Sequence, residues 1–518
     1  MSSAVEVATP VEAAIAAAVE TPVFDVHVQT SAVTEIRASV ARDSEKQAEK
    51  PRRSLREALP VIKMAPYLMF EAIMHTAYLR NAAHGWDLRT HMIVSMVRRF
   101  MYHEGKTVEE VQRSSRKGLP FQSDEVEVLP FIIPVPQVQE DVEFLEHKIK
   151  TAIDRLTREA GLAEPTIPDP TVVEVQAEWV IKKRSDKGKE FVPTAEDVVV
   201  IFAHGGAHYL GSAAAHRFLT GPLVESTQVK VLSLDYRLSP QNPLPAALTD
   251  FLVSYFYVVE TLKVSPSRIV FAGDSSGGCL VLSTLGVILY GEDASSRLPV
   301  PAGALVISPW VDMTRSMPSE SSKATEQFDY IPPANFYPNL KPSEAWPVEN
   351  GRYWHYAENN AILHPLASPI TTPSWKGSCP LFIAVSDERL RDSGLLLSKF
   401  YQESGNPTYL YYHENLPHVF HILGNSQPSV SKSFSEMKLF IEDCLSQKTP
   451  AADGETPQEL ESQSATIDIL GKERPFQENK IPNYTYQELR KRMDARITEI
   501  TYLLRYLVAE RNRKQLSM

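Results

Sequence analysis

Residues 268–291 read RIVFAGDSSGGCLVLSTLGVILYG, an apolar strand, a turn of glycine and serine, and an apolar helix in direct succession. Gly273-Asp274-Ser275-Ser276-Gly277 is a G-x-S-x-G sequence lying where the strand ends and the helix opens. In that context the pattern makes a nucleophile elbow. Its glycines let two backbones pass closely around a sharp turn. The turn leaves the Ser275 hydroxyl at the C-terminal edge of a sheet, and the free N–H groups of the helix N-terminus point at the same spot. Ser275 is the candidate nucleophile.

Working outward, the strand RIVFAGD belongs to a series. VVVIFA (198–203), VKVLSLDY (229–236), ALVISPW (304–310), PLFIAVSD (380–387) and TYLYYHE (408–414) are short β-branched or aromatic runs, with helical stretches between most of them. Alternating strand and helix with apolar strands predicts an α/β protein, its mostly parallel sheet covered on both faces. VVEVQAEWVIKK (172–183) alternates apolar and polar residues, which predicts a half-exposed strand.

A second signal follows VVVIFA directly: His204-Gly205-Gly206-Ala207. Consecutive glycines there can turn backbone N–H groups toward the serine, where they would stabilise a tetrahedral oxyanion. Asp235-Tyr236-Arg237-Leu238-Ser239-Pro240, with Asp250 beyond it, reads as a polar brace at a strand end. A base for Ser275 must follow the last strand, and His418 in ENLPHVFHIL does so after a short Pro-containing loop. His413 is still in the strand and His421 falls in the helical stretch that follows. Acid candidates lie after PLFIAVS: Asp387, Glu388 and Asp392. Asp392 precedes the apolar helix GLLLSKFYQESG and is expected to cap it. Asp387 and Glu388 are adjacent, so only one of them can face His418.

HGGA, DYRLSP, GDSSGG, SDERLRD and LPHVF, in this order and spacing, resemble the hormone-sensitive-lipase branch of the α/β-hydrolases over about residues 190–445. The resemblance implies an eight-stranded, mostly parallel sheet and a helical cap. It also implies ester hydrolysis through a serine acyl-enzyme, with no cofactor and no metal. It makes Ser275 the nucleophile and His418 the base, and it puts the N–H groups of Gly205, Gly206 and Ser276 in the oxyanion hole. That branch's D-x-L-x-D acid motif reads Glu388-Arg389-Leu390-Arg391-Asp392 here, so Glu388 stands in the acid's place, with Asp387 as the alternative. The segment WDLRTH (86–91) resembles the pre-domain of fungal members. The same fold also carries amidases and deacetylases with the same triad, and non-catalytic receptors that lack the histidine.

The rest of the chain is expected to divide as follows. Residues 1–54, almost without aromatics, form a disordered segment. Residues 55–160 form a helical pre-domain, and 161–447 form the hydrolase domain with a cap insertion at 312–376. Residues 448–483 form a linker, and 484–518 an amphipathic C-terminal helix. In that helix Thr485 and Glu488 have capping-box spacing. Leu489, Met493, Ile497, Ile500, Leu504 and Leu507 follow at intervals of 3 and 4. Eight Lys/Arg against four Asp/Glu between 485 and 518 would suit peripheral contact with an anionic membrane or self-association. A net charge of −11 argues against a nucleic-acid partner. Three scattered cysteines, Cys279, Cys379 and Cys444, give neither a disulfide framework nor a zinc site. The first twenty residues carry Glu6 and Glu12 and do not read as a secretory signal. The expectation is an intracellular, cytoplasmic enzyme acting on an apolar or moderately hydrophobic ester.

Overall fold

The computed structural model describes residue 72 and residues 85–102, 105–117, 123–184, 191–291, 297–334, 340–347, 352–446 and 460–516. The expected N-terminal segment 1–54 lies outside the described residues. Two helices come first, α1 (Leu88–Met101) and α2 (Val108–Arg116). Asp87 accepts the Thr90 N–H at the start of α1, and a Thr107–Glu110 capping box opens α2. Then follow β1 (Val126–Ile133), α3 (Gln139–Glu159), β2 (Val175–Lys182), β3 (Val199–Ala203), α4 (Arg217–Thr227), β4 (Lys230–Asp235), α5 (Ala246–Phe256), β5 (Ile269–Asp274) and α6 (Ser276–Tyr290). The second half holds β6 (Gly303–Ile307), β7 (Leu381–Ser386), α7 (Arg391–Glu403), β8 (Thr408–His413), α8 (Pro428–Ser446), β9 (Gln463–Ile467), β10 (Glu473–Pro475) and α9 (Tyr486–Leu516).

These strands form one sheet in the order β1-β2-β4-β3-β5-β6-β7-β8-β9-β10. The run from β4 through β9 is parallel, while β1/β2, β2/β4 and β9/β10 are antiparallel. Side chains alternate between the two faces. Val199, Ile201 and Ala203 of β3 join a core with residues of α3, α5 and α6, whereas Val200 and Phe202 join a second core with residues of α4 and α8. The site therefore sits at the C-terminal ends of parallel strands clamped between two apolar layers.

The structure corrects several expectations. Among the described residues the sheet has ten strands, not the expected eight. Two of them, β9 and β10, come from the segment expected to be a linker. β9 is polar in sequence but pairs with β8 through its backbone, Tyr409 opposite Gln463 to His413 opposite Ile467. Strand β1 belongs to the same sheet although it falls within the segment expected to be a helical pre-domain. β2 is covered on both faces rather than half-exposed. Glu178 is buried there because Arg217 reaches it with both ends of its guanidinium, Nε to Oε1 at 2.9 Å and Nη2 to Oε2 at 2.5 Å. β6 ends at Ile307, three residues early, because Ser308 takes a left-handed φ of 48°. Asp392 does not cap α7; Leu390 holds that position, and Asp392 sits in the first turn accepting the Ser319 N–H.

In α9 the capping box forms: the Thr485 N–H donates to Glu488 Oε2 at 2.8 Å, and the Glu488 N–H to Thr485 Oγ1 at 3.2 Å. Leu489, Met493 and Ile500 are buried and Ile497 is half-buried. The side chains of Leu504 and Leu507 lie outside the described ones. Among the described residues no helix is long and apolar enough to cross a membrane, and no cluster of histidine, cysteine or acidic residues is arranged to hold a metal.

Candidate active site

Ser275 stands between β5 and α6 with φ 53° and ψ −119°, a conformation non-glycine residues rarely adopt and one typical of strained functional turns. Its N–H donates to the Ile307 carbonyl at 2.8 Å, and its carbonyl accepts from Trp310 at 2.9 Å. A Cβ on Gly277 would stand 2.0 Å from the Ala203 carbonyl oxygen, and one on Gly273 would stand 2.5 Å from the Gly277 carbonyl carbon. The elbow closes only because both positions lack side chains.

The His204–Ala207 loop is fixed from below. The buried Asp274 carboxylate accepts the Gly205 N–H at 2.9 Å and lies 3.5 Å from His216 Nε2. Burial alone would raise the Asp274 pKa, but the His216 charge and hydrogen bond outweigh it and hold the group low. Tyr236 Oη donates to the His204 carbonyl at 2.6 Å, and the His208 N–H donates to Ser276 Oγ at 3.1 Å. The Gly205 N–H, expected as an oxyanion donor, is thus already committed to the Asp274 carboxylate. The N–H groups of Gly206 and Ala207 make no hydrogen bond among the described residues, and both residues are half-buried rather than sealed. The Ser276 N–H opens α6 and has no helical partner.

His418 donates or accepts at Nδ1 with Glu388 Oε2 in a very short contact, and both side chains are buried. Burial works to lower the His418 pKa, yet the Glu388 carboxylate overrides it and the net shift is upward. Asp387, the alternative acid, faces elsewhere: it binds Tyr412 Oη and the Asn415 N–H, with Arg391 beside it. His413 and His421 bond to Ser429 and Ser433 instead. Ser275 Oγ and His418 Nε2 make no hydrogen bond to each other. Their main chains are nonetheless tied to adjacent residues, Ser275 to Ile307 and Val419 to Ser308. The Asp250 carboxylate clasps Arg237 at its N–H and Nε, so the DYRLSP segment is a brace, as its sequence suggests.

Side chains from several other segments pack near these strand ends. Tyr330 lies edge-on to His418 with ring centroids 5.7 Å apart. Arg98 of α1 grips the neighbouring Asp329 carbonyl at 2.6 Å, and the Arg389 N–H donates to the Asp329 carboxylate at 2.7 Å. On the other side Trp310 meets Trp354 edge-on, and His208 stacks on Tyr356. Arg492 and Arg496 of α9 donate to the Ser316 and Ala334 carbonyls at 2.9 and 2.8 Å. Asp274, Ser308, Ser386, Tyr330 and the arginines were not singled out from the sequence. Asp274 lies inside G-x-S-x-G, and Ser386 and Arg389 inside SDERLRD, but those motifs were read for Ser275 and for the acid.

Strand order, elbow and buried His–Glu pair together define an α/β serine hydrolase. Residues 200–422 match a family described as having the alpha/beta hydrolase fold. An acetyl-hydrolase of Streptomyces hygroscopicus is 30% identical over 275 residues, covering 53% of this chain and 81% of that protein. Lipase 2 of a Moraxella species is 27% identical, covering 51% of this chain and 64% of that one. A solved esterase/lipase from an uncultured bacterium superposes with a TM-score of 0.50 at 24% identity, covering 70% of this chain and 99% of that one, a likeness of fold. The chain belongs to the alpha/beta-hydrolase family and is a carboxylic ester hydrolase.

Proposed function

We propose that Ser275, His418 and Glu388 form the catalytic triad, and that Gly206, Ala207 and Ser276 supply the oxyanion N–H groups. Ser275 Oγ attacks the ester carbonyl carbon while its proton passes to His418 Nε2. The carbonyl oxygen becomes an oxyanion held by the three N–H groups. Collapse breaks the bond to the alcohol oxygen, which takes the proton from His418, and leaves an acyl-enzyme. Water, deprotonated by His418, then releases the acid. Glu388 holds the imidazole in one tautomer and stabilises its cation. The observation that carries this reading is the buried Glu388–His418 pair beside a serine held in an elbow conformation.

The substrate is read as an ester with an apolar or moderately hydrophobic acyl or alcohol part. What supports this is the set of aromatic residues packed near the elbow and the base: Trp310, whose backbone N–H donates to the Ser275 carbonyl, Trp354 edge-on to it, and Tyr330 edge-on to His418. Placement in the hormone-sensitive-lipase branch, among fungal members, rests on the five motifs and the WDLRTH segment. The ten-stranded sheet β1 to β10 with the helices α3 to α8 acts as the catalytic body. The helices α1 and α2, the segment 312–376 and the first half of α9 act as its cover, with α9 serving the body before any membrane or second copy. A fluorophosphonate probe tests the triad: labelling should vanish in Ser275→Ala while the fold is kept. Labelling that survives would refute it. Turnover of p-nitrophenyl esters graded from acetate to palmitate then gives the acyl preference.

A further inference from the structure

We propose that Ser308 and Ser386 are positioning residues that aim the His418 imidazole by clamping the peptide units on either side of it. The proposal rests on the reading of His418 as the base. The Ser386 hydroxyl donates to the Pro417 carbonyl at 2.9 Å, and the Val419 N–H donates to the Ser308 hydroxyl at 3.1 Å. Both serines have no solvent exposure. They stand at the C-terminal ends of neighbouring parallel strands, Ser386 as the last residue of β7 and Ser308 just past β6. The residue between the two clamped units is His418.

Hydroxyls often do no more than satisfy a turn, and two observations set these apart. The first is strain. Val419 has φ 42° and ψ 53°, and a β-branched residue in that region is a genuine outlier that persists only where its surroundings over-determine it. Ser308, its partner, is itself left-handed at φ 48° and is held by its N–H on the Ala384 carbonyl at 2.7 Å. The hydrogen bond thus joins two strained residues, one of them next to the base. The second observation is shared reference. Ser386 Oγ also lies 3.4 Å from Glu388 Oε1, so one hydroxyl touches both the histidine loop and its carboxylate. On the other side, Ile307 and Trp310 flank Ser308 and hold the Ser275 main chain. Nucleophile, base and acid are all referenced to the ends of β6 and β7, strands of the sheet core.

The test is Ser308→Ala and Ser386→Ala in the full-length chain, with Ser275→Ala as control. Steady-state kinetics, the pH profile of kcat/KM and the melting temperature are measured for each. The clamp predicts kcat lower by roughly 10- to 100-fold with KM within about threefold, as small misplacement of a catalytic group costs. It also predicts an acid limb displaced toward the ordinary histidine value as the contact with Glu388 loosens. Ser386→Thr keeps the hydroxyl and should recover most of the turnover. Folded alanine variants with the parent's kcat and pH limb would overturn the clamp, as would a loss that Ser386→Thr fails to recover. If Ser308→Ala fails to fold, the Ser386→Ala and Ser386→Thr pair decides alone. Turnover surviving in Ser275→Ala would instead bring down the reading of the site, an outcome distinct from failure of the clamp alone.

Discussion

The carboxylate of Glu388 lies against Nδ1 of His418, while Asp387, one residue earlier, is turned away toward Tyr412 and the Asn415 N–H. Two adjacent acids thus have separate partners. Glu388→Gln should lower kcat by about three to four orders of magnitude, because an amide there favours the wrong imidazole tautomer. Asp387→Asn should leave kcat within about tenfold and act mainly on stability. Steady-state kinetics on the two amides would decide, and the reverse ranking would move the acid role to Asp387.

Turnover requires neutral His418, and Glu388 holds its pKa above the ordinary histidine value of 6.5 despite burial. The acid limb of kcat/KM should therefore lie above pH 6.5. It should move down in Glu388→Gln, because the charge favouring the imidazolium is gone. For stability the sign is opposite to that of an acid: the pair's contribution is full below pH 6.5 and is lost as pH rises through the raised value.

Five other histidines work the other way, one of them His413, which burial holds well below the ordinary value. Burial lowers His204, His208 and His421 to about 3 and His364 to about 4. Each stays neutral in the fold and gains a proton on unfolding below pH 6.5. Their contribution is present above that pH and is lost as pH falls toward the depressed values. Each steepens the loss by about 1.4 kcal/mol per pH unit at most. Thermal unfolding followed from pH 7 to pH 4 should show a steep drop beginning near 6.5. A flat profile over that range would contradict these burials.

Gly277→Ala should destroy the elbow, since its methyl would meet the Ala203 carbonyl oxygen, and backbone cannot step aside there. Loss of probe labelling and a cost of roughly 2 kcal/mol or more are expected. Gly377→Ala is the control. Its φ is +80° with nothing within 4 Å of the added carbon, so only the left-handed backbone penalty of roughly 1–2 kcal/mol applies, with labelling retained.

The elbow, the HGGA loop and His418 were legible because each sits where a run of strand residues stops, and a stop is visible in a linear string. The acid was legible only as a choice of two. Which of Asp387 and Glu388 turns inward depends on Ser386 and the 414–419 loop, more than twenty residues further on. The engagement of the Gly205 N–H was not legible, because its partner Asp274 is 69 residues away, in a motif read for the serine beside it. β9 and β10 escaped for a related reason. Their composition is polar, and what makes them strands is the free edge of β8. Buried Glu178 likewise looked like the exposed side of an alternating strand until Arg217 supplied its partner.

Leu489 and Met493 are fully buried on the inner side of α9. Leu489→Ala and Met493→Ala should each cost about 2–5 kcal/mol, while Met493→Leu, which keeps volume, should cost less than about 1.5 kcal/mol. Chemical denaturation of the three variants would measure this. Changes below about 0.5 kcal/mol in both alanine variants would mean that α9 does not pack on the body.

The segment that carries Tyr330 is held by residues far before it and far after it in sequence. Arg98 reaches Asp329 across 231 positions, and Arg492 and Arg496 reach back 176 and 162 positions to Ser316 and Ala334. Contacts of such sequence separation are slow to form. During synthesis the elbow, the base and the acid are all made before residue 420, while Arg492 and Arg496 emerge from the ribosome more than 70 residues later. A nascent or prematurely terminated chain would therefore own a complete set of reacting groups beneath an unfinished roof. Arg492 and Arg496 thus add their ties to the Ser316 and Ala334 carbonyls only after every reacting group is already in the chain.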